Sequence, residues 1–214
     1  MRSGKGLRRD AELNRGRVVA AARAVFGERG LEAPLEDVAR RAEVNIATLY
    51  RHFPKRESLI EAVLTDRLNE LADLAEQAVR APDPGAAFRD FVERVCAMQA
   101  ADRAVTEGFT ACFPNSPGME EPRSRALGAL DALIRRAQQE GQLRSDVTGA
   151  DVMLFLMANA GVLRSTRQSA PGAWRRLVAR LLDACHPEGF ASALPPVPTS
   201  EELHAAMVAT RPGR

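Results

Sequence analysis

From Val18 to Leu182 the apolar residues of this chain recur three and four positions apart, and no stretch alternates with period two over a useful length. That pattern constrains the fold more than any other feature, because a segment with this period buries a single face only as an α-helix. Aromatic residues make up 5% of the chain, β-branched runs are sparse, and Ala, Leu, Arg and Glu abound. The chain is therefore expected to be all-α. Val18, Val19, Ala22, Val25 and Phe26 set the stripe of a first helix over 12–28, which Gly30 stops. Pro34 suits a first helical position, and Leu35, Val38, Ala39 and Ala42 make a short second helix ending near Glu43. Asn45 is placed to N-cap a third helix from Ile46 to about His52, which Pro54 limits. A long fourth helix restarts near Lys55. Its stripe of Leu59, Ile60, Val63, Leu64, Leu68, Leu71 and Leu74 runs on to Val79, ahead of the break "APDPG" at 81–85. Further helices are expected over 84–101, 102–112, 119–140, 148–165 and 171–185, with Thr148 and Asp151 as a capping-box pair. Thr199 and Glu202 repeat that pattern in a Pro-rich tail.

The 214 residues suffice for one sizeable core or two modest domains, and 45% hydrophobic with 27% charged residues is ordinary for a soluble globule. The opening MRSGKGLRRD contains no apolar stretch that could serve in an export signal, so a cytoplasmic location is expected. The most apolar run, Val152 to Leu163, is twelve residues with Asn159 inside it. A bilayer span takes roughly 20, so no membrane partner is expected. Cys96, Cys112 and Cys185 are odd in number and widely spaced, which argues against a disulfide framework and against a zinc site. Buried, reduced thiols are expected, with a redox-responsive regulator as the sharper alternative. Neither a metal nor a cofactor is implied.

The formal net charge of +2 is unevenly distributed. Residues 1–56 hold 13 Lys+Arg against 7 Asp+Glu, whereas residues 57–214 hold 17 against 21. A basic head on a slightly acidic body suits a polyanion partner. Within the head, the lengths of the second helix, the turn at 43–45 and the third helix are those of a helix-turn-helix. Ile46, Leu49, Tyr50 and Phe53 form an inward stripe, with Tyr50 at its edge, so Ala47, Thr48 and Arg51 point outward. So slim an outer face can enter a major groove, where Thr48 can bond a base edge or phosphate and Ala47 can touch a thymine methyl. Tyr50, His52, Lys55 and Arg56 are expected to reach backbone phosphates. With Arg41 and Asn45, these form the candidate surface for double-stranded DNA. Arg2, Lys5, Arg8 and Arg9 precede the first helix, as a solvated terminus or as an arm along the duplex.

"LEDVARRAEVNIATLYRHFPKRESLIEAV", residues 35–63, resembles the helix-turn-helix of the tetracycline-repressor-like (TetR/AcrR) transcriptional regulators. Asp37, Ala39, Ala42, Val44, Ala47, Thr48, Leu49, Tyr50, His52, Phe53, Glu57 and Leu59 carry the likeness, which with the first helix covers about residues 10–65. It departs from the family pattern at Glu43, where a turn glycine is usual, at Asn45 for a serine cap, at Ala33-Pro34, and at Arg56 for a lysine. The resemblance implies an N-terminal helix-turn-helix DNA-binding domain, a C-terminal helical ligand-binding and dimerisation domain, and a homodimer formed by the last two major helices. On that plan residues 1–54 are the arm and DNA-binding domain, 55–80 the linking helix, 81–185 the effector and dimer domain, and 186–214 a tail.

In the second half, Phe88, Phe91, Val95, Met98, Phe109, Phe113, Met153, Phe155 and Met157 are candidates to line a pocket for a small apolar effector, or else to fill the core. Asn159, Glu107 and Arg94 are polar candidates near it. Ala158, Ala160 and Gly161 permit close helix packing, and Trp174, Leu177, Leu181 and Leu182 extend the surface expected to meet a second copy. The expected function is a homodimeric repressor released from a near-palindromic operator by an effector. A helical protein-binding adaptor is the alternative, though it leaves the basic cluster at 45–57 unexplained. A helical enzyme has little support, because His52, His186 and His204 lie far apart and no phosphate loop or nucleophile-base pair is present.

Overall fold

A computed structural model describes residues 4–109, 116–188, 194–199, 202, 203, 205 and 206. The described residues form nine α-helices and no strand. They are α1 Gly4–Arg29, α2 Leu35–Arg41, α3 Ile46–His52, α4 Arg56–Val79, α5 Pro84–Ala101, α6 Arg103–Phe109, α7 Pro117–Gln139, α8 Gly149–Thr166 and α9 Ala173–Ala184. The expected helices are present with ends shifted by a few residues, and residues 110–112 of the helix expected over 102–112 lie outside the described residues. The larger difference is at the N-terminus, where the backbone of α1 begins at Gly4 and takes in residues expected to be a separate arm. Pro34 is the N-cap of α2 rather than its first residue, with ψ 136°.

Helix boundaries follow local chemistry. Asp83 Oδ1 accepts from Ala86 N–H at 2.9 Å ahead of Pro84, which needs no donor at that position. Asp151 Oδ2 accepts from the Thr148 N–H at 2.8 Å and from its hydroxyl at 2.7 Å, the expected capping pair. Glu202 Oε2 accepts from Thr199 N–H at 2.8 Å in the tail, also as expected.

α1, α2 and α3 pack on one another, and α1 also packs on α4 and α6. α4 lies along α7 in the most extensive helix pairing of the fold, and α5 packs against α4, α7, α8 and α9. One core runs through both halves, from Val18 and Phe26 through Leu59, Val63 and Leu64 to Phe88, Leu133 and Leu163. Apolar burial supplies cohesion without direction, so polar ties set how these helices register. Arg125 of α7 reaches Asp73 at 2.8 Å, Glu76 at 3.0 Å and Asn69 at 3.3 Å, all on α4. Arg67 of α4 bonds Asp102 ahead of α6 and, at 2.9 Å, Glu70, whose other oxygen accepts from Arg23 of α1.

Burial works to raise the Glu70 carboxyl, but the hydrogen bonds from Arg67 and Arg23 outweigh it and hold the group below its ordinary value of 4.5. A carboxyl depressed on folding contributes stability that is complete above its unfolded value and lost as pH falls through the folded one. Glu70→Gln is therefore expected to melt lower than the wild type at neutral pH. The two melting temperatures should converge as pH falls from about 4.5 through the acid range, measured by circular dichroism.

Candidate nucleic-acid interface

A seven-residue helix has too few internal bonds to hold itself in water, so α3 depends on its surroundings. Leu49 and Phe53 supply the anchorage, at 0% and 2% exposure, while Val44 and Ile46 pack partly buried at the edge of the same core. The Arg15 guanidinium of α1 lies 5.0 Å above the Phe53 ring. Asn45 adopts extended geometry and its Oδ1 accepts from Thr48 N–H at 2.7 Å, capping α3 as expected. The preceding turn is more unusual. Glu43 N–H donates to Arg40 O at 3.2 Å and Val44 N–H to Ala39 O at 3.0 Å. Those paired bonds end a helix on a left-handed residue. That residue is Glu43, with φ 55°, the one non-glycine with positive φ among the described residues. For a side chain with Cβ this conformation costs roughly 1–2 kcal/mol.

With Leu49 and Phe53 inward, Ala47, Tyr50 and Arg51 are exposed and Thr48 is half-buried. The spacing puts Tyr50 at the edge of the inward stripe. Its side chain instead stands on the outer face at 45% exposure, because Leu49 and Phe53 already fill the seam against α1 and α2. His52 differs too, since its Nε2 is buried without a hydrogen-bond partner rather than presented outward. Lys55 is exposed at the N-cap of α4.

Arg56, expected to reach a phosphate beside Lys55, is also held by the protein's own backbone. Its Nη1 donates to Leu31 O at 2.9 Å and Ala33 O at 2.8 Å, tying the start of α4 to the segment that leads into α2. Two carbonyls that no helix satisfies take up this one nitrogen, which gives the side chain a structural tie in the free protein. Arg41 pairs with Glu28 at 2.6 Å on the surface, an exposed pair of small worth that leaves it available to a polyanion. Sequence reasoning does not single out Arg17, whose Nη2 donates to Ala42 O at 2.7 Å and lies 3.3 Å from Glu43 Oε2. The signal that could have found it is the non-glycine at the turn.

The other candidate residues are more dispersed. Phe88, Phe91, Val95 and Phe109 are buried core, Met98, Met153, Phe155 and Met157 are half-buried, and Phe113 lies outside the described residues. A cavity of about 730 Å³ lies between α4 and α7, lined by Val79, Arg80, Arg125 and Ala129. A second of about 430 Å³ touches Phe88, Leu182 and Cys185, and a third of about 390 Å³ touches Leu74, Phe91 and Arg94. These three do not gather the expected lining, because Met98, Phe109, Met153 and Met157 border none of them. Between α5 and α8, Asn159 and Gln99 are both 0% exposed. Asn159 Nδ2 donates to Gln99 Oε1 at 2.8 Å and its Oδ1 has no partner. Glu107 accepts from Leu31 N–H at 2.8 Å, joining α6 to the loop before α2, while Arg94 pairs with Asp90 at 2.7 Å on the surface.

On the expected dimer surface Ala158 is exposed, Leu177 and Leu181 are half-buried, and a Cβ added at Gly161 would meet nothing within 4 Å. Trp174 and Leu182 depart from that expectation, being 6% and 2% exposed within the single chain. They face inward on α9 with Val178 and complete the monomer's own core. Burial, then the nearby Glu93, pushes the Cys96 thiol up to about 12, and burial, then Asp151, pushes Cys185 up to about 11. Neither is a thiolate near neutral pH, which removes support for a redox role at these two; Cys112 lies outside the described residues.

The helix-turn-helix on a helical body defines a DNA-binding regulator. Residues 18–63 match the family model "Bacterial regulatory proteins, tetR family", and residues 83–186 match "Transcriptional regulator SbtR-like, C-terminal domain". The chain belongs to the TetR family of transcription regulators. It is 28% identical over 170 residues to the HTH-type transcriptional regulator UidR of Escherichia coli K12, covering 73% of this chain and 83% of UidR. It is 35% identical over 151 residues to the HTH-type transcriptional activator FasR of Mycolicibacterium smegmatis, covering 58% of this chain and 69% of FasR. Among solved structures, the TetR transcriptional regulator SCO0520 from Streptomyces coelicolor superposes with a TM-score of 0.58 at 32% identity. That superposition covers 81% of this chain and 99% of SCO0520.

The two cations at the start of α4 should separate experimentally. Lys55→Ala is expected to lower the slope of log affinity against log salt by roughly 0.9 for each phosphate left without its cation. Arg56→Ala should instead lower the stability of the free protein by about 1–3 kcal/mol, through the loss of its carbonyl bonds, in urea unfolding. An unchanged unfolding midpoint for Arg56→Ala would return that residue to the phosphate-binding set.

Proposed function

We propose that this protein is a homodimeric repressor, acting in the cytoplasm, that leaves a near-palindromic operator when a small apolar effector binds. Residues 1–54 bind DNA, 55–80 transmit, 81–185 sense and dimerise, and 186–214 form a tail. The observation that carries the reading is the outer face of α3, where Ala47, Tyr50 and Arg51 are exposed while Leu49 and Phe53 lock the opposite face. Small and polar side chains on a slender helix, with exposed Lys55 alongside, suit entry into a major groove with phosphates gripped at its rim. Thr48 and Ala47 read bases; Arg41, Tyr50, Arg51 and Lys55 position the protein. Asn45 contributes through its cap, His52 chiefly through packing, and Arg56 chiefly through its bonds to Leu31 O and Ala33 O.

Dimerisation through α8 and α9 is supported by Ala158, Gly161, Leu177 and Leu181, together with Leu154 at 37% exposure, an apolar strip that the described residues leave partly uncovered. Sensing is supported by adaptable, half-buried Met98, Met153 and Met157 on α5 and α8. The route to the DNA-binding end runs through α6 and the residue ahead of it, since Glu107 holds Leu31 N–H and Asp102 meets Arg67. An effector releases the operator only through its different affinity for two conformers. An activator is the second reading, and the name of FasR favours it. Transcription from the bound promoter, with and without the protein, decides between them.

Selection of bound sites from random duplex DNA should yield two inverted half-sites with centres about one helical turn apart, roughly 34–36 Å, or a multiple of it. Leu181→Glu places a charge on the proposed dimer strip. It should give a monomer in analytical ultracentrifugation with the helical signal retained, and operator affinity should fall by at least about a hundredfold, since paired half-sites bind as one unit. A dimer that persists would move the interface elsewhere.

A further inference from the structure

We propose that Arg17 of α1 is a positioning residue for the recognition helix, supplying from outside the turn the stabilisation that a glycine at position 43 would supply from within it. The inference rests on α3 being the DNA-reading helix, and three observations meet at one place. Glu43 holds a left-handed φ of 55°, a conformation that a residue with Cβ adopts unwillingly and glycine adopts freely. Ala42, the C-cap of α2, has a carbonyl that no helical N–H satisfies, and Arg17 Nη2 donates to it at 2.7 Å. The same nitrogen lies 3.3 Å from Glu43 Oε2, so one guanidinium grips the turn by its backbone and by the strained residue's own side chain.

The geometry makes this more than a surface ion pair. The Glu43 carboxylate is 85% exposed, and that contact alone is worth little. The bond to Ala42 O is different, because a cation at a helix C-terminus meets both an orphaned carbonyl and the negative end of the helix dipole. Arg17 sits next to Val18, which is 0% exposed in the core that also holds Leu49, so its anchor is rigid. If the turn relaxes, α3 pivots about Leu49 and Phe53, and its outer face changes angle in the groove. Arg17 thereby couples a backbone conformation to DNA recognition without touching a base.

The competing account is that Arg17, bonded among the described residues through Nη2, simply binds a phosphate. Four full-length variants separate the two: Arg17→Ala, Glu43→Gly, and Arg17→Ala combined with either Glu43→Gly or Glu43→Gln. The duplex used is the one selected from random sequence by the wild type. Arg17→Ala should weaken that complex about tenfold, near the lower end of what a hydrogen bond to a charged group contributes. In the free protein it should also speed amide exchange at Glu43, Val44 and Leu49, read by nitrogen-15 NMR. Adding Glu43→Gly should recover most of both effects, because glycine needs no staple there. Adding Glu43→Gln should recover neither, because it removes the charge but leaves the Cβ in place.

Equal rescue by Gln and Gly would overturn the proposal, since charge relief near DNA would then suffice. So would a double variant with Gly that stays weak and has a reduced salt slope, the mark of a phosphate that Arg17 had neutralised. Unchanged amide exchange in Arg17→Ala would also sink it. The exchange measurement needs no DNA, so it judges Arg17 even if the wild type were to select no duplex.

Discussion

α4 carries one core from the DNA-binding end into the helical body, and the rest of the structure depends on that sharing. Leu59, Ile60, Val63, Leu64, Leu68, Ala72 and Ala75 are buried along a single continuous stripe. The helix packs on α1 and also, through most of its length, on α7. A helix cannot bend sharply without breaking its bonds or introducing a proline, and α4 contains none. Whatever moves its far part must therefore move its near part. Because apolar contacts tolerate sliding, the register of this shared helix is set by Arg125 on Asp73 and Glu76, by Arg67 on Asp102, and by Arg136 on Val79 O and Ala81 O.

The DNA-binding end follows a similar logic on a smaller scale. α2 and α3 have seven residues each, too few to be stable alone. Their geometry comes from what surrounds them: Leu49 and Phe53 in the core, Asn45 at the cap, Arg56 holding Leu31 O and Ala33 O, and Arg17 holding Ala42 O. Two arginines of the basic head, Arg17 and Arg56, are thus committed to the protein's own backbone. The excess of positive charge in residues 1–56 remains, but the groups free to meet a duplex are fewer than the count of cations suggests. Exposed Arg51 and Lys55 are among them.

Much of this was legible from spacing. The stripe in α4 as far as Leu68, the Pro84 start of α5, and the Asn45 cap all stand where local rules put them, because each depends on neighbours within a few residues; beyond Leu68 the buried positions are Ala72 and Ala75, with Leu71 and Leu74 half-buried. Tyr50 and Trp174 show where such reading stops. Tyr50 is apolar enough and close enough in phase to belong to the inward stripe, yet two neighbours fill the seam and leave it outside. Trp174 suits an intermolecular surface by composition, and only the packing of α9 shows that the monomer buries it. A scattered set of phenylalanines and methionines likewise carries no information about which of them share a cavity.

What the sequence determined by itself was the all-helical fold, the order and rough length of the helices, and the helix-turn-helix with its slim outer face. Those features follow from periodicity, caps and breakers, interactions a few residues long. Only the tertiary structure decided which cations are free and which are tied, that Glu43 takes a left-handed turn beneath Arg17, and that Glu107 joins α6 to Leu31. Each of these contacts links residues from 23 to 76 positions apart or depends on one that does. Pairings at such separation are set by how whole helices pack, and no local pattern in the chain encodes them.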